Sequence, residues 1–177
     1  MALRLENLDT RTREFMLDEL ALDVDSGTLL VSPRLTEKGR ADHYQLLREA
    51  ISSRDEVWLA NALHSPGRMY TTEVRRNPGK APTVVRVPVT APATLADREF
   101  TRFYARGVCR RALEDGITNV IVYRARLGEA PRPESQGLIG TEINAQALLE
   151  DLRAHQEIES GLRLPPASDS GLCVRLP

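Results

Sequence analysis

Arginines recur at every fourth position in the middle of the chain, within residues 94–115. The apolar side chains of that stretch follow helical spacing and predict a long amphipathic helix. Residues four apart project from the same side of a helix, so their guanidinium groups form one stripe. A guanidinium group pairs bidentately with carboxylate or phosphate, so the stripe is suited to binding anions. The stripe consists of Arg98, Arg102, Arg106 and Arg110, and Arg111 extends it.

Two interpretations of this arginine stripe follow from its own electrostatics. Like charges four apart on a helix repel by about a few tenths of a kcal/mol per pair, so they favour a neighbouring counter-charge. In the first interpretation, carboxylates from the rest of the chain neutralise the stripe. In the second, the stripe lies on the surface and binds nucleic-acid phosphates or an acidic protein surface. The residue pattern leaves both open.

Charge is strongly segregated along the 177 residues, although the net charge is only −1. Residues 1–64 carry 8 basic and 12 acidic side chains, residues 65–111 carry 10 and 3, and residues 112–177 carry 6 and 10. The near-neutral total excludes a protein that coats nucleic acid through bulk charge. The basic centre between acidic flanks indicates internal neutralisation, contacts between identical subunits, or an exposed patch for an acidic partner.

A second basic cluster lies on a predicted β-hairpin. Residues 69–75 and 83–90 alternate β-branched side chains, and the Asn-Pro-Gly-Lys sequence between them is typical of a turn. Pro82 and Pro88 predict that the second arm is an edge strand or is partly detached. Together with the stripe, the hairpin tip completes the candidate set for an anionic partner or a subunit contact. The set is Arg75, Arg76, Lys80, Arg98, Arg102, Arg106, Arg110 and Arg111.

Helical periodicity and capping residues predict four further helices. They span residues 10–24, 37–52, 54–63 and about 145–155, with N-caps at Asp9, Thr36, Ser53 and Asn144. The long helix is expected to begin at a capping box formed by Thr94 and Asp97 and to end before Gly116. Residues 28–32, 117–127 and 138–143 are predicted strands, the second of them central in its sheet.

These elements predict an α+β fold in which residues 1–64 form a helical N-terminal subregion. Residues 65–177 form an α+β core with a small, mainly antiparallel sheet and an extended C-terminal arm. The long helix packs on the sheet through Phe100, Tyr104 and Val108. Only 5% of residues are aromatic, so the rest of the core must be mainly aliphatic. The two parts are expected to fold as one cooperative domain.

Catalytic chemistry has little support in the residue pattern, which predicts no catalytic residue, no cofactor and no metal. His43, His64 and His155 are isolated from one another, and Cys109 falls in mid-helix, where no helix N-terminus lowers its pKa. The segment from Gly137 to Gly140 lacks the Lys and Ser/Thr of a phosphate-binding loop. The carboxylates that flank the central strand or lie on the hairpin leave a metal-dependent nuclease as an alternative. They are Glu73, Asp115, Glu129 and Glu134.

Cellular location follows from cysteine usage and hydropathy. Two cysteines, Cys109 and Cys173, are too few for a disulfide framework, which favours two reduced thiols over a bridge between them. No stretch has the length and apolar character of a secretory signal or a membrane span. We therefore expect a cytoplasmic protein without a membrane partner.

The resulting hypothesis is a non-enzymatic assembly protein that forms homo-oligomers through its acidic and basic surfaces. The order of helical arm, hairpin, long helix and strand is loosely similar to that of viral shell proteins, a likeness of topology only. The first alternative is a nucleic-acid-binding module that uses the arginine stripe and the hairpin. The second is the nuclease-type enzyme.

Overall fold

The computed structural model describes residues 3–76, 78–79, 81–126, 136–155 and 171–177. Within them the fold is α+β, as the sequence predicts, with helices α1 to α5 and two small antiparallel sheets. The helices are α1 (Thr10–Asp25), α2 (Glu37–Ser53), α3 (Glu56–His64), α4 (Ala91–Glu114) and α5 (Ala145–Ala154). The strands are β1 (Thr72–Arg75), β2 (Thr83–Arg86), β3 (Asn119–Arg124), β4 (Glu142–Asn144) and β5 (Leu172–Arg175).

Helix α4 is the centre of the molecule. It packs against α1, α3 and α5, and it contacts β3 and β5 of the larger sheet. The contacts with β3 and β5 confirm that the long helix packs on the sheet, and Phe100, Tyr104 and Val108 are fully buried on this helix. Leu47 of α2 belongs to the same hydrophobic cluster, so one core joins helices from both parts of the chain.

Three of the predicted N-caps are confirmed, at Asp9, Thr36 and Asn144, where the side chain accepts a hydrogen bond from a backbone N–H of the first turn. Helix α3 differs from prediction because Asp55, not Ser53, accepts from the backbone of Trp58 at 2.7 Å. Helix α4 also differs, because it begins at Ala91 instead of at the Thr94–Asp97 capping box. Its early start is compatible with Pro92, since the first turn of a helix needs no backbone donor there.

The larger sheet has strand order β4-β3-β5, and both pairs are antiparallel. Strand β3 is central, as predicted, and buries Val120, Val122 and Tyr123. The strand predicted over 138–143 is instead the shorter β4. Part of the predicted C-terminal arm is β5, which pairs with β3, and residues 156–170 lie outside the described residues.

The smaller sheet is the predicted hairpin, in which β1 and β2 pair from Thr72↔Arg86 to Arg75↔Thr83. Neither strand packs extensively against a helix or against the larger sheet, so the hairpin projects from the core. Its base is fixed by Arg34, which donates to both carboxylate oxygens of Glu73 at 2.7 and 2.9 Å.

The strand predicted over residues 28–32 does not form, and this expectation is wrong. The backbone N–H groups of Thr28 and Leu29 donate to the carbonyl of Asp23, at 2.8 and 3.0 Å. These two hydrogen bonds turn the chain around the C-terminal end of α1, so residues 28–32 do not pair as a strand.

Candidate interaction surface

The two middle members of the arginine stripe lie inside the protein. The side chains of Arg102 and Arg106 are 1% and 0% exposed. Helix α1 crosses α4 over this part of the stripe and supplies carboxylates from its buried side. These two guanidinium groups therefore cannot touch a partner in the folded chain.

Arg106 is held by two carboxylates of α1. It donates to Glu19 at 2.8 Å and to both carboxylate oxygens of Asp23, at 2.7 and 2.8 Å. Arg102 donates to Glu99, one turn earlier on its own helix, at 2.7 Å. Carboxylates of the acidic N-terminal flank neutralise Arg106, as the first interpretation expects. Arg102 differs, because its nearest partner is Glu99 of its own helix and Asp23 lies 4.0 Å away.

Glu19 is the hub of this buried network. It also accepts from Arg110 at 3.1 Å and from Arg153 of α5 at 2.5 Å. Burial raises the pKa of Glu19, but the hydrogen bonds from Arg153 and Arg106 outweigh it and leave the pKa below its usual value. Burial dominates at Glu99, where it raises the pKa of the carboxyl despite Arg102.

The outer members of the stripe are more accessible. The side chain of Arg110 is 35% exposed and pairs with Glu19. Arg111 pairs with Asp9 at 2.6 Å and with Asp115 at 3.8 Å, and Arg98 is half-buried on α4. The stripe therefore mainly joins α4 to α1, and Glu19 of α1 in turn binds Arg153 of α5.

The hairpin presents its charge to solvent. Arg75 and Arg76 are exposed, and Lys80 lies outside the described residues. Arg86 of β2 is also exposed, and sequence reasoning missed it although its place in the alternating second arm was visible. Within the described chain, no carboxylate forms an ion pair with Arg75, Arg76 or Arg86. We call β1, β2 and these arginines the basic hairpin.

The outward side of α1 has the opposite charge. Glu14, Asp18 and Asp25 are exposed, and their spacing places them on one side of the helix. No basic side chain in the described ranges forms an ion pair with them. We call these three residues the acidic face. The sequence shows that residues 1–64 carry more acidic than basic side chains. It did not lead us to predict that three of the acidic residues share the exposed side of α1.

Both surfaces carry exposed apolar side chains next to their charges. Leu22 and Val24 are 43% and 40% exposed on α1, and Val74 and Val84 are 59% and 72% exposed on the hairpin. Apolar contact framed by charge is a common composition of protein interfaces.

The residues considered for chemistry do not converge in the described structure. Searching the described residues finds no group of three or more His, Cys, Asp or Glu side chains able to hold a metal ion. Asp115 pairs with Arg11, and Glu73 pairs with Arg34. His43 is buried, whereas His64 and His155 are exposed. Glu129 and Glu134 lie outside the described residues.

The two cysteines are free thiols in the core. Burial is the main cause of a raised pKa at both, and it brings the pKa of Cys173 to about 12. A thiol with such a pKa stays protonated near neutral pH and is a poor nucleophile. Among the described helices, none is both long and apolar enough to cross a membrane.

Comparison with known proteins finds no matching family model, no similar curated protein and no similar solved structure.

Proposed function

We propose that this chain is a non-enzymatic assembly protein that associates head to tail. The basic hairpin of one copy contacts the acidic face of α1 in the next. The observation that carries the proposal is the distribution of unsatisfied charge. Ion pairs within the chain engage the arginines of α4 from Arg102 to Arg111, whereas the described structure gives no such pairs to the arginines of the basic hairpin or to the carboxylates of the acidic face.

The two surfaces belong to different elements, so the proposed contact is heterologous. Contacts of this kind close into rings or propagate as filaments, depending on the rotation between neighbours. The exposed valines of the hairpin and the exposed Leu22 and Val24 of α1 would supply apolar contact between the charges. The viral-shell-like order of elements agrees with such a role and stays a prediction.

Nucleic-acid binding is the alternative function, and measurements of mass and absorbance distinguish it from self-association. Because Arg102 and Arg106 are buried, this function would rest on the hairpin and not on the stripe. A complex with nucleic acid would show in the ratio of absorbance at 260 and 280 nm.

The test is light scattering on a size-exclusion column at several protein and salt concentrations. We expect a mass above the 19.7 kDa of one chain at high protein concentration. Because the attraction is between exposed charges, the mass should fall towards that of one chain as salt shortens the Debye length. The absorbance ratio of the peak should be that of protein alone.

The variant Arg75→Glu/Arg76→Glu should stay at the mass of one chain under all these conditions. Its matched control is Lys38→Glu/Arg48→Glu, which makes the same charge change on exposed positions of α2. The control should associate like the wild type. If both variants associate like the wild type, the hairpin is not the contact and the proposal is wrong.

A further inference from the structure

The outer edge of β1 has no partner strand among the described residues. Strand β1 pairs only with β2 in the described residues, and the N–H of Val87 donates to the carbonyl of Thr71 at 3.0 Å. In an antiparallel pair, residues whose backbone groups bond the neighbouring strand alternate with residues whose backbone groups point away from it. The bond from Val87 to Thr71 therefore fixes which residues of β1 point outwards. The backbone N–H and C=O groups of Thr72 and Val74 therefore point away from β2.

The same edge is already paired next to β1. The N–H of Thr36 donates to the backbone carbonyl of Arg68 at 3.0 Å, and the N–H of Tyr70 donates to the backbone carbonyl of Arg34 at 2.9 Å. This short antiparallel ladder stops at Tyr70, because a turn closed by Leu35 and Ser32 takes the chain away. From Thr72 onwards, the described residues provide no backbone partner for the edge.

A groove of about 450 Å³ lies where the ladder would continue. The exposed side chains of Val74 and Val84 line it from one side of the hairpin, where the two residues are cross-strand partners. Pro33 and Tyr70 line it from the side of the existing ladder. Arg34 and Glu73, which pair with each other, also line the groove. The groove thus offers apolar contact and one ion pair beside backbone groups that have no partner in the described residues.

The two edges of the hairpin are protected differently. Natural sheets block exposed edges with proline or charge, which prevents indiscriminate pairing. Pro82 and Pro88 flank β2, at positions whose backbone also points outwards. Residues 70–76 contain no proline, so β1 is guarded only by the charges of Glu73, Arg75 and Arg76.

We infer that the outer edge of β1 binds an extended segment of a partner protein in which acidic and apolar residues alternate. The segment would add as a third strand, antiparallel to β1, and exchange backbone hydrogen bonds with Thr72 and Val74. Its apolar side chains would pack on Val74 and Val84. Its carboxylates would lie on the other face of the sheet, which carries Arg75 and the ion pair of Arg34 with Glu73.

A second copy of this chain is the less suitable occupant of the edge. Antiparallel pairing of two β1 strands through Thr72 and Val74 would bring two hairpins of net positive charge together and would place Glu73 of one copy directly opposite Glu73 of the other, where like charges are destabilising. An acidic strand replaces the repulsion between the two basic hairpins with attraction. Strand addition uses the backbone of β1, so it does not depend on the proposed self-association.

The probe is a fluorescein-labelled octapeptide that alternates valine with glutamate, followed by fluorescence anisotropy at a protein concentration where the chain has the mass of one copy. We expect saturable binding that weakens with salt. The same peptide with N-methylated backbone amides keeps its side chains but cannot form the ladder, and it should bind at least about tenfold more weakly.

The protein variants are Thr72→Pro and its matched control Thr72→Val. Proline removes an outward N–H that has no partner in the described structure, so the hairpin should be retained, which circular dichroism and thermal unfolding verify. Thr72→Pro should weaken peptide binding at least about tenfold, and Thr72→Val should leave it unchanged. Thr72→Pro should still self-associate.

Three results would overturn the inference. The first is absent binding, or equal binding of the N-methylated peptide, since neither involves strand addition. The second is a Thr72→Pro variant that loses self-association, which would make a second copy the occupant. The third is a single-stranded oligonucleotide that displaces the peptide and binds Thr72→Pro as well as it binds the wild type, which would make the hairpin a nucleic-acid site.

Discussion

Arg106 joins two helices through charges that are withdrawn from water. Removing one partner of a buried ion pair costs about 3–5 kcal/mol, because an uncompensated charge stays in the core. Arg106 donates to Glu19 and Asp23 at once, so the loss of one of these three side chains leaves an uncompensated charge between α1 and α4. The regular arginine spacing suggested a binding surface, but its middle members stabilise the packing of α4 against α1.

His43 borders this network without joining it. Its side chain is 1% exposed, and neither ring nitrogen has a hydrogen-bond partner in the described residues. Burial, with a smaller effect from Arg102, lowers its pKa from 6.5 to about 4. The folded protein consequently keeps this imidazole neutral at pH values where the unfolded chain protonates it.

The depressed pKa of His43 predicts a pH-dependent loss of stability. Between about pH 6.5 and pH 4 the unfolded state binds more protons than the folded state, so stability falls as the pH falls. The shift corresponds to about 3 kcal/mol at pH 4. Urea unfolding of wild type and His43→Leu at pH 7 and pH 4 measures it. The wild type should lose about 3 kcal/mol more than the variant, and equal losses would contradict the assignment.

At the scale of elements, two helical glycines mark close crossings. A Cβ on Gly107 of α4 would lie 2.6 Å from Cγ of Met16 and 3.1 Å from the carbonyl oxygen of Thr12. A Cβ on Gly39 of α2 would lie 2.0 Å from the carbonyl oxygen of Arg68. The packing of α4 on α1 at Gly107, and of α2 on the backbone of Arg68 at Gly39, depends on the absence of a side chain at each glycine.

Alanine at these glycines should destabilise the protein although alanine favours an exposed helix by about 1 kcal/mol. Gly107→Ala should cost about 1–3 kcal/mol, because the Met16 side chain can move but the α1 backbone must also shift. Gly39→Ala should cost more, because its first obstacle is fixed backbone. Thermal unfolding of the two variants checks the order, and a stabilised Gly107→Ala would refute the close crossing.

Sequence reasoning recovered the elements whose signals are local. The caps at Asp9, Thr36 and Asn144, the end of α4 before Gly116 and the central strand β3 depend on side chains within a few residues. The strand over residues 28–32 failed because backbone bonds to Asp23 compete with it, and only the folded chain shows that. The depth of Arg102 and Arg106 also depends on a long-range contact, the crossing of α1 over α4.

The candidate surface was only partly visible in the sequence for the same reason. Segment charges showed that acidic and basic residues are separated, but not which of them already pair inside the chain. Glu19 and Asp23 belong to the acidic N-terminal segment, yet both form buried ion pairs with Arg106 and are not available to a partner. What is left over, on the hairpin and on the outer side of α1, could be identified only after the internal pairs were known.

At the scale of the whole molecule, the account depends on one heterologous contact between the basic hairpin and the acidic face. Two variants should each be unable to self-associate for opposite reasons. Arg75→Gln/Arg76→Gln retains only the acidic face, and Glu14→Gln/Asp18→Asn retains only the basic hairpin; neither variant introduces an opposite charge that could form a new contact. Each should therefore have the mass of a single chain.

Sedimentation velocity of an equimolar mixture of these two variants tests the central claim most directly. One intact hairpin meets one intact acidic face, and no further contact can form. We predict a species with twice the 19.7 kDa mass of one chain and nothing larger. A mixture that stays at the mass of one chain, while the wild type associates, would contradict the contact.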